Sequence, residues 1–372
     1  MRVLPLLAAL ALVTGAGSAR VPPIGAAAAP AAAAAPAATE ILESVGALAP
    51  HIAGSFDDPA GFAQTARGDF IVFDRGGHSV HHVDRRMTTA TRLVAIGHEP
   101  GRVIRPVAFS AARDGSFTVA DVPGGRQRVQ VFTAAGQRLR GFLLPGIGRA
   151  LVSIGGTPLN GIGSVQYDGE SILLNQPETG SLIVEYTLEG RVRQTLGALR
   201  PTGYEDDSAV HLALNTGLPL PHPHGGFYFV FQTGEPRFRR YGADGALQYE
   251  RVIQGRELDG LMAANPTRWP ARPSGTREVP LVPPSVRTAA VDRDGGLWVA
   301  LVPPYTYVYE GGEKTRTVQF RGAGLLSPVS LSFSPDGQLL VAPGCFMFDP
   351  GPPDRRPERP AGGSLRRVNR RR

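Results

Sequence analysis

Between about residues 39 and 350 the apolar and polar positions fall into one recurring pattern. A turn glycine is followed by a strand of four or five mostly apolar residues, and a loop-forming position stands six residues after the glycine. Gly68 leads DFIVF to Asp74, Gly115 leads SFTVA to Asp121, and Gly169 leads ESILL to Asn175. Gly226 leads FYFVF to Gln232, Gly296 leads LWVAL to Val302, and Gly337 leads QLLVA to Pro343. Short apolar runs bounded by turn formers predict buried strands rather than helices. The six glycines are spaced 47, 54, 57, 70 and 41 residues apart.

Each copy carries more than its glycine. Asp-Gly pairs at 114–115, 168–169 and 336–337, and Asp294-Gly295-Gly296, supply the positive φ of a tight hairpin. An apolar stretch precedes the turn in five copies: Ala60–Ala63, Val107–Phe109, Val165–Tyr167, Ala289–Val291 and Leu331–Phe333. A third strand follows, as in Val80–Val83, Val129–Phe132, Ile183–Tyr186 and Phe238–Tyr241. Its apolar residues lie three apart and so point to opposite faces, which predicts burial on both sides. A further glycine (Gly136, Gly190, Gly245) turns the chain into a fourth strand, such as 137–143 or 191–196.

Six four-stranded units of about 50 residues predict an all-β, six-bladed β-propeller, because a lone blade cannot bury both of its faces. The last copy stops after Phe346-Met347-Phe348 without a fourth strand, whereas a spare strand, Glu40–Gly46, precedes the first. The N-terminal strand is therefore expected to pair with the last blade's third strand and close the ring. The widest spacing points to a long loop over 255–284, containing Trp269 and several prolines; loops of that length are often functional.

These features resemble the NHL-like six-bladed propellers. The likeness rests on Gly54-Ser55-Phe56-Asp57-Asp58-Pro59-Ala60-Gly61-Phe62-Ala63, on Gly68 to Asp74, and on Val80 to Asp84. It spans about 39–350 and implies the fold. The family mixes protein-binding scaffolds with a few lyases and lactone hydrolases, so no residue acquires a role from it. Val302 and Pro343 stand where that pattern usually has Asp.

Composition adds a compartment and removes some partners. With 42% hydrophobic and 19% charged residues the chain can bury a core. The net charge of +7 lies at the ends: eight arginines against Asp354 and Glu358 in the tail, Arg2 and Arg20 in the leader, and a body that is nearly neutral. Nucleic-acid binding needs clustered charge on the folded domain, so nucleic acid is not an expected partner. Residues 1–19 have the layout of a cleaved secretory signal, with an apolar run from Val3 to Val13 and Gly17-Ser18-Ala19 before the cut. An Ala/Pro-rich tether follows over 20–38, the propeller over 39–350, and an Arg/Pro-rich tail over 351–372. The expected protein is exported, periplasmic or extracellular, and monomeric, with the tail able to contact an anionic envelope.

Chemistry is sparse. The lone Cys345 excludes an internal disulfide, and no GxxxxGK[ST], HExxH, GxSxG or EF-hand pattern occurs. Propeller ligands sit at a channel mouth, where loops into the first strands meet loops joining strands two and three. Those loops offer Arg75, His78, Arg105, Asp121, Arg126, Glu178, Arg237 and Tyr305 as binding residues, along with Asp57, Asp58, Asp74, Asn175 and Glu235. Asp74 and Asp121 can equally cap turns. His222-Pro223-His224, counted among the same loops, can project two imidazoles to one side of an extended segment and hold a zinc or calcium ion. His81 and His82 read as strand surface, and Tyr305, Tyr307 and Tyr309 as packing. Two functions follow. The leading one is a non-catalytic module with no cofactor, binding a protein or small extracellular ligand through the mouth and the 255–284 loop. The alternative is a lyase or hydrolase with a divalent metal near His222 and His224.

Overall fold

The computed structural model describes residues 39–144, 152–154, 157–159, 164–266, 268–274 and 277–351. The expected signal, the tether to residue 38 and the tail from 352 lie outside these residues.

The chain opens with strand β1 (Glu40–Ala47) and a short helix α1 (Pro50–Ala53). A first meander follows: β2 (Pro59–Gln64), β3 (Phe70–Asp74), β4 (Ser79–Val83) and β5 (Ala90–Val94). The second is β6 (Ala108–Ala111), β7 (Phe117–Asp121), β8 (Arg128–Phe132) and β9 (Arg138–Leu143). After β10 (Val152–Ile154) and β11 (Thr157–Leu159) comes the third, β12 (Val165–Tyr167), β13 (Ile172–Asn175), β14 (Ser181–Tyr186) and β15 (Val192–Ala198). Helix α2 (Ser208–Leu214) leads to the fourth, β16 (Gly217–Pro221), β17 (Phe227–Phe231), β18 (Arg237–Tyr241) and β19 (Leu247–Val252). Helix α3 (Arg256–Ala263), β20 (Ala271–Ser274) and β21 (Arg277–Val282) precede β22 (Val286–Val291), β23 (Leu297–Leu301), β24 (Thr306–Glu310) and β25 (Glu313–Arg321). The chain closes with β26 (Ser330–Phe333), β27 (Leu339–Ala342) and β28 (Phe346–Phe348).

The first four meanders are separate four-stranded antiparallel sheets, and the last two meanders share one eight-stranded sheet through β1. Within a sheet, burial grades outward. The second strands β3, β7, β17 and β23 are buried at every position, whereas the fourth strands β5, β9, β15 and β19 are largely exposed. Asp-Gly turns work as the sequence predicts, with positive φ at Gly115, Gly169 and Gly337. In the fifth copy Gly295, not Gly296, takes the positive φ, which shifts the turn by one residue.

Apolar clusters fill the spaces between sheets and run around a circle. Ile71 and Phe73 meet Phe117 and Val119 between the first and second sheets, and Val129 and Val131 meet Ile172 and Leu174 between the second and third. Leu182 and Ile183 meet Phe227 and Phe229, then Val230 and Phe238 meet Val299 and Tyr307. Trp298 and Val308 meet Leu339 and Val341, and Leu340 and Met347 return to Phe62 and Val72 of the first sheet. The first strands β2, β6, β12, β16, β22 and β26 neighbour one another in the same circular order. Neighbouring sheets hide the two faces that each blade leaves bare. This is an all-β propeller with four-stranded blades.

The N-terminal strand does what the missing fourth strand requires, and more. Its second half pairs antiparallel with β28, Ser44 opposite Phe348 and Ala47 opposite Phe346. Its first half pairs parallel with β25, from Glu40 opposite Val318 to Glu43 opposite Arg321, a second pairing beyond the one expected from sequence. Leu42 is buried among Val318, Phe320 and Phe348, and Arg316 holds Glu40 at 2.8 Å.

The 255–284 segment is not the plain loop its prolines suggested. It contains α3, β20 and β21, and β21 pairs with β10 to make a small sheet in the order β11-β10-β21-β20. Helix α2 packs on this sheet, with Val210, Ala213 and Leu214 against Val282 and with Tyr204 and Trp269 alongside. Pro273 is tolerated because β20 is an edge strand of that sheet.

Candidate functional site

The second strands all run toward one end of the propeller, where the connections between blades also arrive; this end is the mouth. The residue six positions after each turn glycine stands there. Asp74 accepts three main-chain hydrogen bonds, from Asp57 (3.1 Å), Asp58 (2.8 Å) and Gly77 (3.1 Å). Asp121 accepts from the Ile104 N–H at 2.9 Å and forms a buried pair with Arg128, whose Nη2 lies 2.6 Å from Oδ2. Arg128 also donates to the carbonyls of His98 and Arg102. Asn175 accepts from the Gly217 N–H of the following blade at 3.0 Å and donates to Leu182. These side chains tie the lead-in of a blade to the end of a second strand. Buried polar groups so matched hold structure together and leave no atom spare for a ligand.

Other sequence-predicted residues occupy the rim. Arg105, held at φ 50, and Arg126 are both exposed and make no ion pair among the described residues. His78 also has positive φ, 47, and its Nδ1 is buried without a partner among the described residues. Arg237 is engaged by Glu235 and, at 2.5 Å, by Glu250, which also holds Arg239. Beside them Arg200, 6% exposed, donates to the carbonyls of Leu214, Thr233 and Glu235 and lies over the Phe231 ring at 4.4 Å. Burial lowers its pKa to about 10. Tyr305 is half-buried against the core that contains Val299 and Tyr307. Glu178 is exposed on a one-turn 3-10 helix, yet desolvation pushes its carboxyl up to about 7.

The histidine pair lies elsewhere. His222 and His224 stand in the turn between β16 and β17, at the end opposite the mouth. Their place among the mouth loops expected from sequence is corrected by the structure: Gly217–Pro221 is a first strand, which its prolines at 219 and 221 disguise. An inner edge strand tolerates such prolines. His222 Nδ1 accepts the His224 N–H at 3.1 Å. Its Nε2 faces Gly295, where an added Cβ would lie only 2.6 Å away. Burial, followed by the nearby Arg240 and His224, lowers the His222 pKa. Among the described residues no three His, Cys, Asp or Glu side chains are gathered for a metal. His81, also buried, shares a 2.9 Å hydrogen bond with Ser79.

The first strands enclose a central cavity of about 460 Å³. Phe73, Phe109, Val107, Val165 and Leu218 give it apolar wall, and Gln166, Gln232, Arg75 and Arg287 give it polar atoms. Of the sequence-predicted binding residues only Arg75 lines it. Asp58 neutralises Arg75 through contacts of 2.8 Å to both Nε and Nη2. Arg287 and Gln232 were missed, and Arg287 owes its position to a backbone irregularity. The β22–β23 register slips between Val286 and Thr288, leaving Arg287 as the extra residue of a bulge. Bulges re-aim side chains in this way. Gln232 clamps the bulge: its carbonyl accepts the N–H groups of Ser285 and Val286, and its side-chain amide donates to the Arg287 carbonyl at 3.2 Å.

No protein-family model matches the chain, and no curated protein sequence matches it. Solved structures do resemble it. A streptogramin B lyase is 13% identical with a TM-score of 0.45, over 77% of this chain and 76% of that one. A Kuenenia stuttgartiensis hydrazine synthase is 13% identical with a TM-score of 0.44, over 77% and 74%. A virginiamycin B lyase from Staphylococcus aureus is 11% identical with a TM-score of 0.44, over 79% and 84%. Likeness at this distance assigns no role to any residue of this chain.

Proposed function

We propose that this chain is an exported, NHL-like propeller of six blades that binds a small extracellular ligand in its central channel. The blade count takes β22–β25 as the fifth blade and β26–β28 completed by β1 as the sixth. Export is supported by the apolar leader and the small-residue cleavage pattern in the sequence. The observation that carries the binding reading is the cavity itself. Its volume suits a small ligand, and it combines apolar wall with a few convergent polar groups, the composition that binding pockets share. The sheet built from β10, β11, β20 and β21 belongs to connections that arrive at the mouth, since Pro284 bridges Thr233 at the end of β17.

The test is a ligand-observed NMR screen of small organic compounds against the full chain and a Ser330→Phe variant. Ser330 lines the cavity and makes no side-chain hydrogen bond among the described residues. Compounds that bind the parent chain and are lost from the filled variant support the channel as the binding site. A screen whose hits are all retained by Ser330→Phe overturns it.

A further inference from the structure

We infer that the channel ligand is a small organic acid, with its carboxylate gripped by Arg287 and an apolar body lying along the aromatic and aliphatic wall. This deepens the channel-binding reading above and rests on it.

Arg287 is half-buried, and among the described residues its side chain makes one hydrogen bond, from Nε to the Val302 carbonyl at 3.2 Å. A guanidinium has five N–H donors. The four on Nη1 and Nη2 have no partner among the described residues, and no carboxylate lies within ion-pairing distance. Other unpaired arginines such as Arg105 and Arg126 are exposed on the rim, and the more enclosed ones are treated differently. Arg75 is paired with Asp58, Arg128 with Asp121 and Arg239 with Glu250, while Arg200 makes four bonds to carbonyls. The described residues lining the cavity include no Asp or Glu. A cation left unmatched in a concave wall, with its positive charge half-desolvated, is a site for an anion.

The geometry narrows the anion. With Nε committed to Val302, the outward edge formed by Nη1 and Nη2 presents two parallel donors, which a carboxylate accepts in a fork. The Gln232 amide is pinned through its N–H to the Arg287 carbonyl, and its oxygen, which has no partner among the described residues, can accept a hydrogen bond from a hydroxyl or amide of the ligand. Beyond these groups the wall is apolar, with Phe73 and Phe109 stacked at 5.1 Å. Bare phosphate or sulfate would leave that wall wet, whereas an acid with an apolar body covers it. The clamped bulge keeps the guanidinium in place before the ligand arrives, so little ordering is needed on binding.

Calorimetric titration of the full chain tests this with phenylacetate, its neutral counterpart phenylacetamide, and inorganic phosphate. Phenylacetate is expected to bind, with phenylacetamide roughly 10- to 100-fold weaker, the range for a hydrogen bond to a charged group. Arg287→Gln should lose a similar factor for phenylacetate and leave phenylacetamide unchanged, while Arg105→Gln and Arg126→Gln on the rim change neither. Equal binding of acid and amide, or of phosphate and acid, overturns the assignment, as does full affinity in Arg287→Gln or no binding of the acid. If neutral compounds from the NMR screen still bind and are lost in Ser330→Phe, channel binding stands and only the organic-acid assignment falls. If nothing depends on Ser330, both fall.

Discussion

Asp121 in the second blade and Arg287 in the fifth are charged residues at the same end of the propeller, and they differ in what surrounds them. Asp121 is fully buried and meets a guanidinium and a main-chain N–H. Arg287 faces a cavity and meets one carbonyl. The difference teaches that a charge at the mouth serves the fold when the chain supplies its counter-ion and stays open to an outside partner when the chain withholds it. A lead-in segment passes over Asp121 and brings its N–H within reach. At Arg287 the backbone bulges and turns the side chain away from such partners.

The comparison can be broken in four measurements. Asp121→Ala strands the Arg128 charge in the interior, and losing one partner of a buried pair typically costs about 3–5 kcal/mol. Urea unfolding should show that loss, and a loss below about 1 kcal/mol would mean that the pair is dispensable. Asp74→Ala leaves three N–H groups without their acceptor, at a cost of roughly 1–3 kcal/mol, with Asp74→Asn recovering part of it. Arg287→Gln sits at the other extreme and should leave stability within about 0.5 kcal/mol, as substitutions away from structural features do. A large loss there would recast Arg287 as a structural residue.

The smallest effect concerns Glu178. Its carboxyl is pushed up to about 7 by desolvation, so the folded state holds its proton more tightly than the unfolded chain does. Its contribution to stability is then fully present below the unfolded value near 4.5 and is lost as pH rises through 7. Glu178→Gln should flatten that part of the stability–pH curve. Because the residue is exposed, solvent screening keeps the effect slight, and NMR titration of the carboxyl is the sharper measurement. A midpoint near 4.5 would show that the mouth does not desolvate it.

Much of the fold was legible because strand and turn signals are local. The Asp-Gly turns, the buried second strands and the apolar third strands are written in consecutive residues, and so was the spare N-terminal strand. What could not be read depends on distant pairing. Nothing near Val152–Ile154 announces β21 as its partner, and the prolines of Gly217–Pro221 hide a first strand, which sent His222 and His224 to the wrong end. The site was less legible than the fold. Loop chemistry pointed to Arg75, His78, Arg105, Asp121, Arg126, Glu178, Arg237 and Tyr305, of which the cavity wall includes Arg75 alone. Arg287 reaches that wall through a slip in register, and a one-residue slip leaves no mark in composition or periodicity.

The double pairing of β1 fixes an order of events. Ser44 hydrogen-bonds Met347 across 303 positions of sequence, so the first described strand has no strand partner until the last 40 or so folded residues exist. Bringing ends so far apart together costs chain entropy before any contact rewards it. Until then the β25 and β28 edges stand bare, and bare edges invite pairing with other chains. A circular permutant that begins at β2 and carries β1 after β28, joined by a short flexible linker, would make this long-range step local. Such a chain should refold faster and aggregate less than its parent while keeping the same sheets.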